Sequence, residues 1–196
     1  ENIRGIMYQD RAHVFVGWRT PIGTVIYDVL TQQWHTRGTL NSDTWRYTAI
    51  VTAGTRTFVA DADGIFDELS RDYTSEHMAD ASTMGTEIVR EFTAIAPALP
   101  NRIAINTVRL ESAKGVGLAA GQGSDPIVRM RFSVDGGNTW SPWRDRPLGV
   151  QGRYDQPTIW RRCGRAGRQD MVFWFSKSDP VKEAYLGVVI NEDEAA

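Results

Sequence analysis

Short apolar runs separated by turn-forming residues predict β-structure in the first part of the chain. The runs are rich in Val, Ile, Tyr, Phe and Thr, which suit a pleated, half-buried strand. They are HVFVGWR (13–19), TVIYDV (24–29), YTAIVTAG (47–54) and RTFVADA (56–62). The stretches TPIG, AGT and DADG between them supply the Pro, Gly and Asp that tight turns require. The pattern predicts a meander of hairpins, with Asp63 and Gly64 as the central pair of a type I′ turn.

Two segments of this part resemble each other weakly. Residues 14–35 and 57–76 each contain a strand, a turn with Gly, a strand carrying an aromatic residue and Asp, and a polar end. Units of roughly 40 residues are typical of β-propeller blades, of which a propeller has at least about four. We therefore expect residues 1–84 to form propeller-type β-blades that belong to a larger propeller.

A change of composition in EHMADASTMGTEI (76–88) predicts a domain boundary near Gly85. Apolar alternation resumes after it, most clearly in IVRMRFSVD (127–135). The residues of this run fall in two sets on opposite faces of a strand, namely Val128, Met130, Phe132 and Arg129, Arg131, Ser133. Repeated strands with one wet face predict a β-sandwich over residues 85–196. The predicted fold class is all-β, a partial β-propeller-like meander followed by a β-sandwich.

Composition restricts the functions that this fold can serve. The chain has 196 residues, a mass of 22.0 kDa and a net charge of −2. This balance gives no global attraction for nucleic acid or an anionic membrane, so DNA binding needs a local patch. No apolar run approaches the roughly 20 residues that span a bilayer, and the N-terminus lacks the blocks of a signal peptide. Because the sequence starts with Glu1, we expect it to be a piece of a longer protein.

SVDGGNTW (133–140) is the most constrained short stretch of the chain. Its adjacent glycines tolerate positive φ, and the Asp135 carboxylate is placed to accept backbone N–H groups across a turn. We expect a hairpin here whose second strand carries Trp140 and Trp143, with Trp140 lying against the hairpin. The stretch also fits the Asp-box pattern S-x-D-x-G-x-T-W, in which the following residues have a structural role: Ser133, Asp135, Gly137, Thr139 and Trp140.

The Asp-box pattern resembles the turns that repeat in sialidases and other secreted β-propellers. It is a folding motif there, remote from the chemistry. A sialidase also needs three substrate-binding arginines, a Tyr nucleophile with an acidic partner, and usually several boxes, whereas this sequence offers one box and no assignable remainder. The alternative function that this resemblance implies is a carbohydrate-binding or sialidase-like β-propeller fragment.

A second resemblance covers more of the chain, from Ile127 onward. The pieces that carry it occur in a fixed order: Ser133 to Ser141, Leu148-Gly149, Gly152, Tyr154, Trp160-Arg161-Arg162, Gly164-Arg165-Ala166, Phe173 and Ser178-Asp179-Pro180. Together they resemble the C-terminal end of the packaged-DNA stabilization family, the tail accessory proteins of short-tailed bacteriophages. The chain is much shorter than a complete member of that family.

This second resemblance implies a structural virion protein of a phage or prophage. It implies a β-propeller with an added β-sandwich, placed in a homo-oligomeric ring of the tail or head-tail connector and assembled in the bacterial cytoplasm. The implied partners are other virion proteins, namely the portal or connector ring and the tail needle or further tail factors. The implied function is to help close the tail channel and retain packaged DNA, and such a protein needs no active site, cofactor or membrane.

RRCGRAGR (161–168) concentrates four arginines around a predicted hairpin turn: Arg161, Arg162, Arg165 and Arg168. Arginines on a turn can grip the phosphates of DNA in a channel, each contact adding roughly one unit to the salt dependence of binding. They can also pair with acidic groups of a neighbouring subunit, or simply be solvated. We keep the turn as a candidate interface or DNA-facing site.

Catalytic and metal-binding interpretations of other residues are weaker. Cys163 lies among these arginines, which would favour its thiolate, but a nucleophilic dyad needs a His and all of these lie in the first predicted domain. We therefore expect Cys163 to be a small core or strand residue. Asp61, Asp63, Asp67 and Glu68 suggest calcium, yet Gly64 falls at the fourth position, where an EF-hand loop requires it at the sixth. We expect a structural protein that is not an enzyme and holds no metal or cofactor. Seven tryptophans favour interaction surfaces instead: Trp18, Trp34, Trp45, Trp140, Trp143, Trp160 and Trp174.

Overall fold

The computed structural model describes residues 3–70, 72–76, 86–182 and 184–191. In these ranges the regular structure consists of β-strands and contains no helix, which confirms the all-β prediction. The chain divides into two compact units, Glu1–Ile88 and Val89–Ala196. Gly85, where composition predicts the boundary, lies outside the described residues, so the division into 1–84 and 85–196 stays a prediction.

The first unit is built from consecutive antiparallel strands. Its four-stranded sheet, called sheet A, contains β1 (Arg4–Asp10), β2 (His13–Thr20), β3 (Gly23–Asp28) and β4 (Gln33–Arg37), in that spatial order. Its three-stranded sheet, called sheet C, contains β5 (Ala49–Ala53), β6 (Arg56–Ala60) and β7 (Phe66–Leu69). A short pair follows, formed by β8 (Ser75–Glu76) and β9 (Thr86–Glu87). Each larger sheet is a meander, as the hairpin pattern predicts.

The inner faces of sheets A and C enclose the core of the first unit. Alternation in β1 and β2 turns Ile6, Tyr8 and Phe15 to this side, because successive side chains of a strand point to opposite faces. The buried core residues are Ile6, Tyr8, Phe15, Ile26, Trp45, Tyr47 and Val59. Thr57 donates its hydroxyl to the carbonyl of Gln9 at 2.9 Å and so joins the two sheets directly.

The loop between β6 and β7 differs from the predicted two-residue turn. Ala60 pairs with Phe66, which leaves five residues in the loop, and Asp63 does not have the positive φ that a type I′ turn requires. The Asp61 carboxylate organises the loop by accepting the N–H groups of Asp63 and Ile65 at 3.0 and 2.9 Å. The prediction was wrong because a side-chain acceptor replaces the tight backbone turn.

The described part of the second unit contains nine strands. They are β10 (Arg90–Ala96), β11 (Ile103–Ala104), β12 (Thr107–Ser112), β13 (Ile127–Ser133), β14 (Arg144–Pro147), β15 (Thr158–Arg161), β16 (Arg165–Ala166), β17 (Met171–Lys177) and β18 (Tyr185–Ile190). One sheet has the order β10-β17-β13-β14, a second β15-β12-β18, and β11 pairs with β16. All of these pairs are antiparallel.

The two larger sheets of this unit enclose one apolar core. The strands β13 and β17 contribute five of its buried residues, namely Val128, Met130, Met171, Phe173 and Phe175. The facing strands β12 and β15 contribute Val108, Leu110 and Trp160. The predicted alternation in β13 is seen at Val128 and Met130, which are buried, and at Arg129, which is exposed. Ser133, expected on the wet face, is buried instead, for a reason that the following turn supplies.

Candidate interaction surface

The turn after β13 is organised around one serine hydroxyl and one carboxylate. The Ser133 hydroxyl donates to Asp135 Oδ1 at 2.6 Å and accepts the N–H of Gly137 at 2.8 Å. Asp135 also accepts the N–H of Thr139 at 2.8 Å and its hydroxyl at 2.6 Å. Gly136 and Gly137 have φ of 71° and 99°, values that L side chains rarely adopt. Ser133 is buried because the turn folds over it.

The hydrogen bonds of the folded turn favour the ionised form of the Asp135 carboxylate. The hydrogen bonds from the hydroxyls of Ser133 and Thr139, together with the Thr139 N–H, lower the pKa of Asp135 from 3.8 to about 2. The carboxylate is therefore ionised at neutral pH and acts as an acceptor that fixes the turn. The assignment of this turn as an Asp box stays a prediction.

The segment after the turn is not the strand that the sequence predicts. The strand β14 starts only at Arg144, so Trp140 and Trp143 precede it. The N–H of Ser141 donates to the carbonyl of Phe132 at 2.9 Å, and the Ser141 hydroxyl accepts the N–H of Phe132 at 3.0 Å. Pro142 then has no N–H to donate, and the regular pairing of β13 with β14 starts only at Met130 and Arg144.

Three tryptophans surround the Arg131 guanidinium on the outer face of the sandwich. Its Cζ atom lies 4.1 Å from the ring centroid of Trp174, 4.6 Å from that of Trp143 and 4.7 Å from that of Trp140. Trp174 is the cross-strand partner of Arg131 on β17, and the other two rings come from the segment after the Asp-box turn. We call these four residues the Arg131 cluster. Its geometry is that of repeated cation–π contacts.

The Arg131 cluster is partly exposed, and two of its nitrogen atoms lack a hydrogen-bond partner. All three rings are half-buried, and Arg129 adds a second guanidinium 5.7 Å from the Trp143 centroid. Arg131 Nε and Trp174 Nε1 are buried without a hydrogen-bond partner. Half-exposed Trp and Arg side chains are the types that anchor protein interfaces. Sequence reasoning missed the cluster, because Trp174 lies far from the other members along the chain.

Arg144 connects the tryptophan segment to the arginine turn. Its guanidinium donates to the carbonyls of Arg161 and Arg162, at 2.5 and 3.2 Å, and lies 3.6 Å from Cys163 Sγ. Its own carbonyl accepts the indole N–H of the buried Trp160 at 2.7 Å. These contacts fix the backbone of the turn between β15 and β16.

The hairpin predicted for residues 161–168 is not formed, because β15 pairs with β12 and β16 with β11 rather than with each other, but the four predicted arginines are exposed. These are Arg161, Arg162, Arg165 and Arg168. Arg162 and Gly164 have positive φ of 57° and 91°, and backbone hydrogen bonds join the turn to Ile105. The main chain of this segment is thus held in place. The assignment of this turn to an interface or to DNA stays a prediction.

Cys163 is buried in the core, as expected of a small core residue, whereas the suggestion that its arginine neighbours favour the thiolate was wrong. Burial raises the pKa of this thiol, and the opposing effect of the nearby Arg144 and Arg146 is smaller. The side chain belongs to the apolar core of the sandwich. It is a small core residue at the base of the turn.

Three of the acidic residues considered for calcium each interact with a different side chain. Asp61 forms a hydrogen bond with Arg46 at 2.8 Å, Asp67 accepts the Tyr47 hydroxyl at 2.5 Å, and Glu68 pairs with Arg56. Within the described ranges, no three His, Cys, Asp or Glu side chains are grouped so that they could hold a metal ion.

Sequence reasoning also missed the pairing of Tyr47 with Asp67, a combination that a sialidase-type nucleophile requires. Burial and then the hydrogen bond to the Asp67 carboxylate raise the pKa of Tyr47 above its usual value. A nucleophilic tyrosine needs the opposite shift, because the phenolate is the reactive form. The pair therefore acts as a part-buried hydrogen bond that joins the core residue Tyr47 to β7.

Comparison with known protein families finds a match for the second unit. The matching family is described as bacteriophage P22 Gp10, beta-sandwich, and the match covers residues 89–191. The chain belongs to this family. More than half of the sequence is matched, including every strand from β10 to β18, the Arg131 cluster and the arginine turn. No curated protein matches the chain.

Family membership confirms the predicted β-sandwich and the coarser functional expectation. The protein is a structural component of a bacteriophage virion, and its partners are other virion components. The part of the chain that the structure describes has no helix that could cross a bilayer.

Proposed function

We propose that this protein belongs to the phage tail or head-tail connector, where copies in a ring help to close the tail channel and retain packaged DNA. The observation that carries the proposal is the match of the P22 Gp10 beta-sandwich family to the unit that holds the Arg131 cluster and the arginine turn. We propose that the Arg131 cluster anchors another virion protein, and that the arginine turn faces an acidic neighbour or DNA.

Charge distribution supports an anionic neighbour for the second unit. Of the 22 Lys and Arg residues of the chain, 15 lie in residues 89–196, while only 12 of the 24 Asp and Glu residues do. Four of the arginines lie within residues 161–168, where Arg144 already holds the carbonyls of Arg161 and Arg162. Clustered positive charge raises the rate and the salt sensitivity of association with an anionic surface.

The alternative is carbohydrate binding, which the tryptophans of the Arg131 cluster would favour. Sugar rings bind to open faces of aromatic side chains, however, and the Arg131 guanidinium lies over all three rings. The sandwich surface therefore favours a protein partner over a glycan.

The experiment that tests the proposal is co-sedimentation of the full-length parent protein with particles of its phage that lack it. We expect wild-type protein to bind at the tail end of the particle. We expect Arg131→Ala to weaken binding by about tenfold or more, as hot-spot residues do, and the exposed Arg153→Ala to have little effect. A parent protein that does not sediment with the particles but is retained on a glycan column would support carbohydrate binding instead.

A further inference from the structure

The four side chains of the Arg131 cluster offer hydrogen-bond donors and no acceptor. Guanidinium and indole groups carry N–H donors only, so neither can accept a hydrogen bond from a partner. In the part of the chain that the structure describes, these side chains form no hydrogen bond or ion pair, and Arg131 Nε and Trp174 Nε1 are buried without a partner. A molecule that completes the cluster must therefore supply an acceptor.

The contacts with the tryptophan rings leave the outer N–H groups of Arg131 usable. A cation–π contact acts on the face of a ring, and a stacked guanidinium keeps its N–H groups in its own plane for hydrogen bonding. Nη1 and Nη2 form no hydrogen bond and are not among the buried unpartnered atoms, so they are the accessible end of this half-buried side chain. Three ring centroids within 4.7 Å of Cζ also restrict the side chain before a partner arrives, which lowers the entropy lost on binding.

No carboxylate of the described residues compensates the charge of Arg131. Its neighbour Arg129 faces Asp145 on β14, and Arg129 Nε lies 3.7 Å from Asp145 Oδ1. Arg131 has no such partner, because its cross-strand position on one side is occupied by Trp174 and on the other side it lies beyond the last residue pair of β13 with β14. The cluster therefore presents one uncompensated positive charge with aromatic rings around it.

The surrounding charges favour a single anionic side chain over the backbone of DNA. The next row of residues across this sheet is Glu91, Ser176, Arg129 and Asp145, with two negative charges and one positive charge. A polyanion laid on this face would meet both carboxylates, whereas a single carboxylate reaches Arg131 without contacting them. A carboxylate also has the planar pair of oxygens that matches the guanidinium fork.

We propose that Arg131 binds the carboxylate of an Asp or Glu side chain of another virion protein, seated among Trp140, Trp143 and Trp174. The inference rests on the proposed function, in which this cluster anchors a virion partner, and it adds the chemical group that the partner presents. Arg131 supplies paired N–H donors, while the rings hold the guanidinium and shield the ion pair from water and salt.

Replacement of Arg131 in the full-length parent protein tests the proposal by co-sedimentation with phage particles that lack this protein. Arg131→Lys keeps the positive charge but loses the planar fork, and we expect it to weaken binding by about tenfold or more, as Arg131→Gln does. Arg153→Gln, at an exposed arginine, is the control and should bind like wild type. Tryptophan fluorescence establishes that each variant is folded under the conditions used. Binding by Arg131→Lys at wild-type strength would overturn the proposed carboxylate fork and leave the proposed function standing.

A second measurement alters the particles instead of the fold of the protein. Carbodiimide with ethanolamine converts exposed carboxylates of the particles into neutral amides, and we expect this treatment to weaken binding of the wild type about tenfold more than binding of Arg131→Gln. Equal losses would overturn the contact between Arg131 and a carboxylate, and displacement of the wild type by double-stranded DNA would then indicate phosphate instead. Wild-type protein that does not sediment with untreated particles would overturn the proposed function and this inference together.

Discussion

At the residue scale, the Ser133 hydroxyl is the most heavily used group of the Asp-box turn. Ser133→Ala removes the acceptor of the Gly137 N–H and the donor to Asp135 in a buried position. We expect the free energy of unfolding to fall by about 1–3 kcal/mol, the cost of unsatisfied buried polar groups. Urea denaturation followed by tryptophan fluorescence measures this loss. Ser124→Ala, at a half-buried loop serine, serves as the control and should change little.

The lowered pKa of Asp135 predicts how the stability of the fold changes with pH. The folded value is about 2 and the ordinary value 3.8, so the ionised carboxylate stabilises the fold above about pH 4. This contribution is lost as the pH falls from about 4 to about 2. Asp135→Asn should therefore be less stable than wild type at pH 7, and the difference should shrink over that window. A difference that is constant between pH 7 and pH 2 would contradict the account.

Gly17 is a second residue whose identity the packing requires. A Cβ atom at this position in β2 would lie 2.1 Å from the carbonyl oxygen of Val25, far inside contact distance. Gly17→Ala must displace the backbone of β3 as well as the side chain of Ile26, and we expect it to cost about 1–3 kcal/mol or more. Gly5→Ala is the matched control, because nothing lies within 4 Å of its added carbon. Equal melting temperatures for the two variants would refute this explanation.

At the scale of elements, Arg144 holds the arginine turn against the sandwich. Arg144→Met removes the donors to the carbonyls of Arg161 and Arg162 and uncovers Cys163. Charge-assisted hydrogen bonds contribute about 1.5–3 kcal/mol each, so we expect local opening to increase by about tenfold or more. The rate at which a disulfide reagent modifies Cys163 reports this opening. Arg153→Met, at an exposed arginine, should leave the rate unchanged, and an unaltered rate in Arg144→Met would show that the turn is held by its backbone alone.

The elements also show which features local sequence can predict. Alternation in β13 predicts the buried Val128 and Met130, because strand periodicity depends only on neighbours in sequence. The Arg131 cluster is different, since Trp174 reaches Arg131 only through the pairing of β17 with β13. The loop at Asp61 was mispredicted because its carboxylate accepts backbone groups two and four residues ahead. Non-local pairing and side-chain acceptors therefore limit the prediction.

At the scale of the whole molecule, the two units provide different evidence about function. The second unit carries the family relationship and most of the positive charge. The first unit carries two successive antiparallel meanders, β1-β2-β3-β4 and β5-β6-β7. Its assignment as propeller-type blades is retained as a proposal, because two stacked meanders are compatible with a larger set of such sheets.

The most direct test of the central claim is nuclease protection of DNA in phage particles assembled with and without the full-length parent protein. The account predicts that particles lacking the protein package DNA but leave it sensitive to nuclease, and that added wild-type protein restores protection. Protein with Arg131→Ala should restore it less well. Packaged DNA that is equally protected in the complete absence of the protein would contradict a role in closing the tail channel.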